Sequence, residues 1–207
     1  MERSCWRGSD FVIVLASASA TRRDMLLRAG VPIETAPAMI DEAGMKESAK
    51  ADRLKAGELA LMLAETKASR MSARRPEALV IGADQVLDCE GEWFDKPRDV
   101  AQAGAHIHRL RGRSHRLETA VVCMRGGAVI WHHAEAPRLS MRAVSDAFIA
   151  DYLASEGEAL LGSVGAYRLE GLGIQLFDRI EGDFFTILGL PLLPLLGFLR
   201  QAGEIQP

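Results

Sequence analysis

Continuous apolar runs alternate along the chain with stretches whose apolar residues recur at helical spacing. Residues 11–16 and 78–83 are almost entirely apolar, which is typical of strands covered on both faces. Residues 114–124 alternate apolar and polar side chains and lead through a Gly-Gly turn into residues 128–135, a pattern that predicts a hairpin. Because crossover helices and hairpins occur in the same chain, the pattern predicts an α/β fold with a mixed sheet.

The rest of the pattern assigns helices, short strands and loops between these runs. Helices are predicted at residues 24–29, 52–71, 101–110, 145–156 and 190–202. Shorter strands are predicted at residues 33–36, 93–94 and 175–180. The polar residues 41–48 are interpreted as a loop, and the glycine-rich residues 162–173 as a region of turns.

Composition narrows the class of protein. The chain has 207 residues and a formal net charge of −3, and we interpret residues 1–207 as one domain with residues 1–10 as a loose N-terminal extension. A slightly acidic chain is unsuited to holding long nucleic acids by counterion release, so no nucleic-acid partner is expected. Cys5, Cys89 and Cys123 show neither a disulfide nor a zinc spacing, which indicates a reducing compartment, and we expect the cytoplasm.

Two apolar segments raise the question of a membrane. Residues 11–15 follow two arginines and precede small residues, as in a secretory signal, but this run is shorter than the roughly 7–15 residues of a typical signal core. Residues 184–199 are fewer than the roughly 20 that span a bilayer, and glycines and prolines interrupt them. We therefore interpret the second segment as a buried closing helix and expect no membrane partner.

The turn after the first strand is a candidate anion site. It holds Ser17, Ser19, Arg22 and Arg23, at the predicted start of a helix. The N–H groups and the dipole of a helix N-terminus favour negative charge, and serine hydroxyls and arginine forks bind phosphate oxygens. The alternative is an ordinary serine-rich turn with two solvated arginines.

Two further charged positions follow apolar segments. Asp84 comes at the end of the run 78–83, where α/β sheets place their ligand crevice, and could bind a divalent metal or accept a proton from water. The alternative is an aspartate that caps a turn. Lys96 precedes a proline and could act as a point charge on phosphate, or could be an exposed turn lysine. The histidines form no zinc pattern, and no GxxxxGK[ST] loop is present.

The ordered set of motifs resembles the Maf family. Residues 15–26 are similar to its LAS-x-S-x-x-R-R-x-x-L signature, and the resemblance covers about residues 11–200. The further landmarks are Asp41-Glu42, Lys67, Gly82-Ala83-Asp84, Asp95-Lys96-Pro97, Glu118-Thr119-Ala120-Val121 and Gly189-Leu190-Pro191-Leu192.

This resemblance implies a fold, a reaction and a set of roles. The fold would be an elongated α/β fold like that of the inosine-triphosphate pyrophosphatases, with two lobes around a cleft and with a homodimer as the expected assembly. The reaction would be Mg²⁺- or Mn²⁺-dependent cleavage of a nucleoside triphosphate to the monophosphate and pyrophosphate. Asp84 would accept a proton from water, and Glu42 would help to bind the metal. The phosphates would be held by Ser17, Ser19, Arg22, Arg23, Lys67 and Lys96.

Substrate preference follows from three positions. Gln85 and Glu170 stand where the dTTP/UTP pyrophosphatase branch has Thr and Gln, so the chain is more similar to the 7-methyl-GTP branch. A carboxylate at Glu170 would accept hydrogen bonds from the N1–H and amino group of guanine. Thr21 departs from this branch, which tends to carry an aromatic residue there, and Trp93 or Tyr167 are candidate substitutes.

Two other interpretations stay open at this point. The first is a non-catalytic nucleotide-binding regulator of septum formation and cell division. The second is an α/β scaffold whose charged residues are all solvated. A catalytic Asp84 separates the pyrophosphatase from both.

Overall fold

The computed structural model describes residues 12–207. Its strands are β1 (Ile13–Leu15), β2 (Ile33–Thr35), β3 (Leu79–Cys89), β4 (Glu92–Phe94), β5 (Ser114–Arg125), β6 (Ala128–Glu135), β7 (Arg138–Met141) and β8 (Phe177–Glu181). Its α-helices are α1 (Ala20–Arg28), α2 (Glu42–Ala51), α3 (Ala56–Ser72), α4 (Val100–Leu110), α5 (Asp146–Glu156), α6 (Phe184–Ile187) and α7 (Leu192–Gln201). Short 3₁₀ turns cover most of residues 157–176.

The long strands β3 and β5 form the spine of one mixed sheet. They pair antiparallel from Val80–Met124 to Asp88–Arg116, and the sheet order is β2-β1-β3-β5-β7-β8, with β4 beside β3 and β6 beside β5. The first half of β3 pairs in parallel with β1, whereas its second half pairs with β4. The spine therefore carries a different set of neighbours at each end, which divides the sheet into two lobes.

Three buried clusters follow from this arrangement. Successive residues of β1 face opposite ways, so Ile13 contributes to the core under α1 and α7, and Val14 to the core under α3. The third cluster fills the other lobe, where Leu87 and Leu117 of the spine pack with Ile107 of α4. Burial of β1 on both faces agrees with its continuous apolar sequence.

Helix α3 lies directly on the spine at Gly82. A Cβ atom at this position would come within 2.2 Å of the carbonyl oxygen of Ala64 and 2.8 Å of the backbone nitrogen of Ala68. Both are backbone atoms of α3, which cannot move aside as a flexible side chain can. Glycine at residue 82 therefore sets the distance between this helix and the strand that carries Asp84.

The predicted α/β class with a mixed sheet flanked by helices is confirmed, and so are several details. The hairpin at residues 126–127 joins β5 to β6, and Ser145 caps α5 by accepting a hydrogen bond from the N–H of Phe148. No helix in residues 12–207 has the length and apolar character that crossing a bilayer requires. Residues 1–10, Cys5 and Phe11 lie outside the described part of the chain.

The predicted loop at residues 41–48 is wrong, because these residues begin helix α2. Asp41 is the N-cap and accepts a hydrogen bond from the N–H of Gly44 at 3.0 Å. The segment that follows is rich in Glu, Ala, Met and Lys, which favour helix, but it lacks the apolar face on which the prediction relied. The signal available in the sequence was an aspartate N-cap followed by helix-forming residues.

Other boundaries also differ from the predictions. Helix α1 begins at Ala20 rather than at residue 24, because Ser19 caps it, and α3 begins at Ala56 rather than at residue 52. Strand β3 continues to Cys89, which places Asp84 inside the strand and not at its end. Strand β7 was missed, and the closing apolar segment is divided into α6 and α7 at residues 188–191.

The contact at Gly82 leads to a test of stability. We expect Gly82→Ala to lower the free energy of unfolding by about 3 kcal/mol, because the added methyl group overlaps backbone atoms of α3. The matched control is Gly197→Ala in helix α7, where no atom lies within 4 Å of the added Cβ and a gain of about 0.5–1 kcal/mol is expected. Urea denaturation of both variants measures the difference. Equal effects at the two glycines would contradict the packing argument.

Candidate active site

The two lobes meet at a gap beside the spine. β1 pairs with β3 as far as Ile81, and β4 begins to pair at Leu87. Along the edge of β3 that faces β1 and β4, residues 82–86 therefore pair with neither of these two strands. Asp84 and Gln85 lie in this gap, at the floor of a cleft of about 590 Å³.

The cleft brings together nearly all of the predicted site residues. They come from the turn before α1, from α2, α3 and β3, and from the segments around Lys96 and Glu170. The predicted residues that line it are Ser17, Ser19, Thr21, Arg22, Glu42, Lys67, Asp84, Gln85, Lys96 and Glu170. Segments far apart in sequence thus converge on one cavity, as a binding site requires.

Arg23 is the predicted residue that does not line the cleft. Its guanidinium pairs with Asp24 at 2.7 Å, and its side chain is 46% exposed. Neighbouring residues of a helix point about 100° apart, and on α1 the side chains of Thr21 and Arg22 face the cleft while that of Arg23 does not. The structure therefore gives Arg23 no contact that would support phosphate binding.

The start of α1 is organised by two serines. Ser19 is the N-cap, and its hydroxyl oxygen accepts a hydrogen bond from the N–H of Arg22 at 3.3 Å. The hydroxyl oxygen of Ser17 accepts from the N–H of Ser19 and from Nη1 of Arg22, each at 3.2 Å. The positive end of this helix consequently lies at the wall of the cleft.

Arg22 is buried and ties three segments together. Its Nε donates to the carbonyl oxygen of Gly189 at 2.7 Å, and its Nη1 donates to that of Ala83 at 2.9 Å. Burial lowers the pKa of Arg22, while the charges of Asp84 and Glu42 raise it. Because no described residue accepts a hydrogen bond from Nη2, this nitrogen is the part of the guanidinium left to a ligand.

Lys67 lies between two carboxylates at the floor of the cleft. Its ammonium nitrogen is 2.8 Å from Oδ2 of Asp84 and 2.7 Å from Oε1 of Glu42. The other oxygen of Asp84 accepts a hydrogen bond from the N–H of Gln85 at 2.7 Å. Lys67 and Asp84 are each only 8% exposed, so their pairing is shielded from solvent. The aspartate is thereby held in one orientation.

The donor set at this point suits a hard divalent cation. Glu42 and Asp84 contact the same ammonium group, so their carboxylates lie close enough to share a cation. Mg²⁺ is commonly held by one or two carboxylates together with substrate phosphates and water. Among residues 12–207 no cluster of three or more His, Cys, Asp or Glu side chains could hold a metal by itself. A metal here would consequently depend on ligands from the substrate.

Lys96 is a second cation at the cleft. No hydrogen bond or ion pair joins its ammonium group to another described residue. Partial desolvation lowers the pKa of Lys96, as do the positive charges of Arg22 and Lys67, although Glu42 and Asp84 act in the opposite direction. A partly desolvated positive charge with other cations nearby gains from an incoming anion.

The three predicted specificity residues occupy different parts of the cleft. Thr21 is exposed on α1, and Glu170 is 38% exposed and pairs with Arg168 at 3.4 Å. The amide nitrogen of Gln85 donates to the hydroxyl of Thr119 at 2.8 Å and to the carbonyl oxygen of Thr186 at 3.0 Å. Gln85 therefore holds the wall formed by residues 186–189.

Of the two aromatic candidates, only Tyr167 lines the cleft. It lines the cleft together with Leu117, Val164 and Leu169, which belong to or pack against the buried cluster of the lobe that contains α4, while Trp93 lines a smaller neighbouring pocket. The cleft thus has a charged part and an apolar part, as a site for a nucleotide needs.

Sequence reasoning missed several residues that shape the site. Lys46 of α2 forms an ion pair with Asp95, and both line the cleft. Thr119 and Thr186 are buried and position Gln85. Lys46 depends on the helix that was predicted as a loop. Thr119 gave no signal beyond its place in the family landmarks, and Thr186 gave none.

Comparison with known proteins settles the family. A family model described as Maf-like protein matches residues 12–202. The chain belongs to the Maf family. The predicted resemblance to Maf is thus confirmed, and it extends over the whole cleft.

The similar Maf proteins carry two kinds of name. A nucleoside triphosphate pyrophosphatase of Granulibacter bethesdensis is 59% identical over 189 residues, which are 91% of this chain and 96% of that protein. One of the same name from Paramagnetospirillum magneticum is 53% identical over 194 residues, 94% of this chain and 100% of that protein. A 7-methyl-GTP pyrophosphatase of Rhizobium etli is 48% identical over 193 residues, 93% of this chain and 97% of that protein.

A buried histidine supports the apolar end of this Maf cleft. Nε2 of His115 is 2.8 Å from the hydroxyl of Tyr167, and burial lowers the pKa of His115 from 6.5 to about 4. The folded protein therefore binds this proton more weakly than the unfolded chain does.

The pKa of His115 predicts how stability depends on pH. Its contribution is fully present above about pH 6.5 and is lost as the pH falls towards 4, by about 3 kcal/mol at most. We expect His115→Gln to remove this part of the decline when unfolding free energies are measured between pH 7 and pH 4. His132→Gln, at an exposed position, is the control. An unchanged pH dependence in His115→Gln would show that another group is responsible.

Proposed function

We propose that the protein hydrolyses a nucleoside triphosphate to the nucleoside monophosphate and pyrophosphate. The observation that carries this proposal is Asp84, held by Lys67 and by the N–H of Gln85 in a cleft with further cations. The family and the names of its similar members support the same reaction. The cations Arg22, Lys67 and Lys96 in the cleft suit a triphosphate, which carries several negative charges close together.

The phosphates would lie between the start of α1 and Lys96. The helix N-terminus, the hydroxyl of Ser19 and Nη2 of Arg22 provide donors on one side, and the ammonium group of Lys96 provides positive charge on another. Catalysis of phosphoryl transfer consists mainly of such positioning and charge stabilisation. Ser19 and Arg22 are held in place before substrate arrives by their hydrogen bonds within the protein.

Asp84 would act as the proton acceptor. A water oxygen attacks the α-phosphorus, the bond from this phosphorus to the bridging oxygen of the β-phosphate breaks, and pyrophosphate leaves. The proton of the attacking water passes to the carboxylate of Asp84. An ionised carboxylate has lone pairs beyond those that accept from Lys67 and Gln85, so a water molecule can bind there as well.

The carboxylates of Glu42 and Asp84 would also hold a divalent cation, Mg²⁺ or Mn²⁺. Such an ion supplies positive charge to the phosphate oxygens when it is bound. Lys67 keeps the two carboxylates together by contacting both. The chain would thus provide two oxygen ligands and the substrate the others.

We propose 7-methyl-GTP as the preferred substrate, with dTTP or UTP as the alternative. Support comes from Glu170, whose carboxylate lines the cleft, and from similar proteins named 7-methyl-GTP pyrophosphatase. A guanine placed among Leu117, Val164 and Tyr167 would present its N1–H and amino group to an acceptor such as Glu170. The cytoplasmic location and the homodimer remain predictions.

The catalytic proposal is tested by replacing the proton acceptor. We expect Asp84→Asn to lower kcat by about 10²–10⁴-fold, since an amide cannot accept the proton. Pyrophosphate release is measured with Mg²⁺ present. Asp88→Asn is the matched control, because Asp88 lies on the same strand but accepts a hydrogen bond from Gly91 outside the cleft. Turnover that survives in Asp84→Asn would rule out Asp84 as the proton acceptor. If the wild-type protein releases no pyrophosphate, a nucleotide-binding regulator is favoured instead.

The base preference has its own test. We expect wild-type kcat/KM to be highest for 7-methyl-GTP in a panel that includes GTP, ITP, CTP, dTTP and UTP. Glu170→Gln should lower kcat/KM for 7-methyl-GTP by about tenfold or more, because a neutral amide forms weaker hydrogen bonds with the base than a charged carboxylate does. A preference of the wild type for dTTP or UTP would overturn the proposed base and leave the reaction intact.

A further inference from the structure

A largely buried carboxylate contacts the loop that carries Glu170. Glu156 is the last residue of α5, and its side chain is 9% exposed. A negative charge at a helix C-terminus opposes the helix dipole, and the last turn of α5 contains no basic residue to offset it. The charge of Glu156 must therefore be balanced by groups outside its own helix.

The loop at residues 168–173 provides that balance. Oε2 of Glu156 is 3.0 Å from Nη1 of Arg168, and Oε1 accepts a hydrogen bond from the N–H of Leu172 at 3.0 Å. The chain passes so close that a Cβ atom at Gly171 would lie 2.7 Å from Oε1 of Glu156. One carboxylate thus holds both ends of a short loop.

Arg168 links this anchor to the cleft. While its Nη1 contacts Glu156, its Nε is 3.4 Å from Oε1 of Glu170, whose side chain lines the cavity. The N–H of Arg168 also donates to the hydroxyl of Tyr152 on α5 at 3.3 Å. A planar guanidinium that is held by one carboxylate can hold a second group in a defined direction.

We propose that Glu156 and Arg168 are positioning residues for Glu170. They hold one oxygen of this carboxylate away from the nucleotide and leave the other to accept from the base. The inference rests on the proposed function, in which Glu170 contacts the base. Fixing a side chain in its bound orientation before binding reduces the entropy lost when the ligand arrives.

The first test is Glu156→Gln. The amide keeps an oxygen for the N–H of Leu172 and removes the charge that holds Arg168. We expect KM for 7-methyl-GTP to rise about fivefold, with a much smaller change in kcat, because an interaction with the base is weakened and the reacting phosphates are untouched. The control is Glu181→Gln, which breaks an exposed pair with Arg179 on β8 and should leave both constants unchanged.

A double-mutant cycle separates positioning from a general structural effect. If Glu156 acts through Glu170, Glu156→Gln should cause no further loss in a Glu170→Gln background. Equal losses in both backgrounds would overturn the proposal. Arg168→Lys lacks the planar fork that joins two carboxylates and should reproduce the effect of Glu156→Gln. Wild-type KM values in both Arg168→Lys and Glu156→Gln would also overturn the proposal.

The same cycle can be measured by binding. The dissociation constant of 7-methyl-GTP is determined by calorimetry for the four proteins of the cycle, with EDTA present so that the ligand is not hydrolysed during the titration. An absence of pyrophosphate release would then refute the proposed function alone. The positioning role would still be supported if Glu156→Gln weakens binding in the wild-type background and has no effect on binding in the Glu170→Gln background. Additive effects on binding would refute that role even in an active enzyme.

Discussion

The buried guanidinium of Arg22 joins three segments of the chain around the cleft. A charge taken out of water is costly unless it is hydrogen-bonded, and Arg22 meets this requirement through Ser17, Ala83 and Gly189. These acceptors belong to the turn before α1, to the spine strand and to the segment before α7. The need to satisfy one side chain therefore holds three walls of the cavity in register. Asp84 and Glu42 add negative charge nearby, which offsets part of the cost of burial.

The break in strand pairing beside the spine explains why the cavity forms where it does. A strand edge with an unpaired stretch leaves polar backbone groups that need partners. Ala83 meets this need through Arg22, and Asp84 projects beside it from the same stretch. Two lobes that shared one uninterrupted sheet edge would offer no such space.

Much of the fold followed from the sequence because apolar patterns report burial directly. The runs at β1 and at the start of β3 are covered on both faces, so their identity as strands was clear. Asp84 and Gln85 interrupt the apolar run, which hid the continuation of β3 to Cys89. Helix α2 was hidden for a different reason, since a helix at the cleft edge has little apolar surface to bury, and only its cap and composition indicate it.

The site was partly predictable for reasons of the same kind. Family motifs marked residues that converge in the cleft, but not how the protein itself uses them. The sequence does not show that Arg22 and Gln85 donate hydrogen bonds to backbone carbonyl oxygens, or that Arg23 pairs with Asp24 outside the cleft. Such outcomes depend on distances between elements, which no local pattern encodes.

The absence of a side chain at Gly82 sets the distance between Lys67 and Asp84. Helix α3 can lie against β3 only because nothing projects from this residue, and the same helix carries Lys67 to Asp84, two residues further along the strand. The separation between cation and acid is therefore set by a missing methyl group in the core. A redesign that thickened this contact would push the lysine away from its partner, so the compactness of the core and the geometry of the acid cannot be tuned independently.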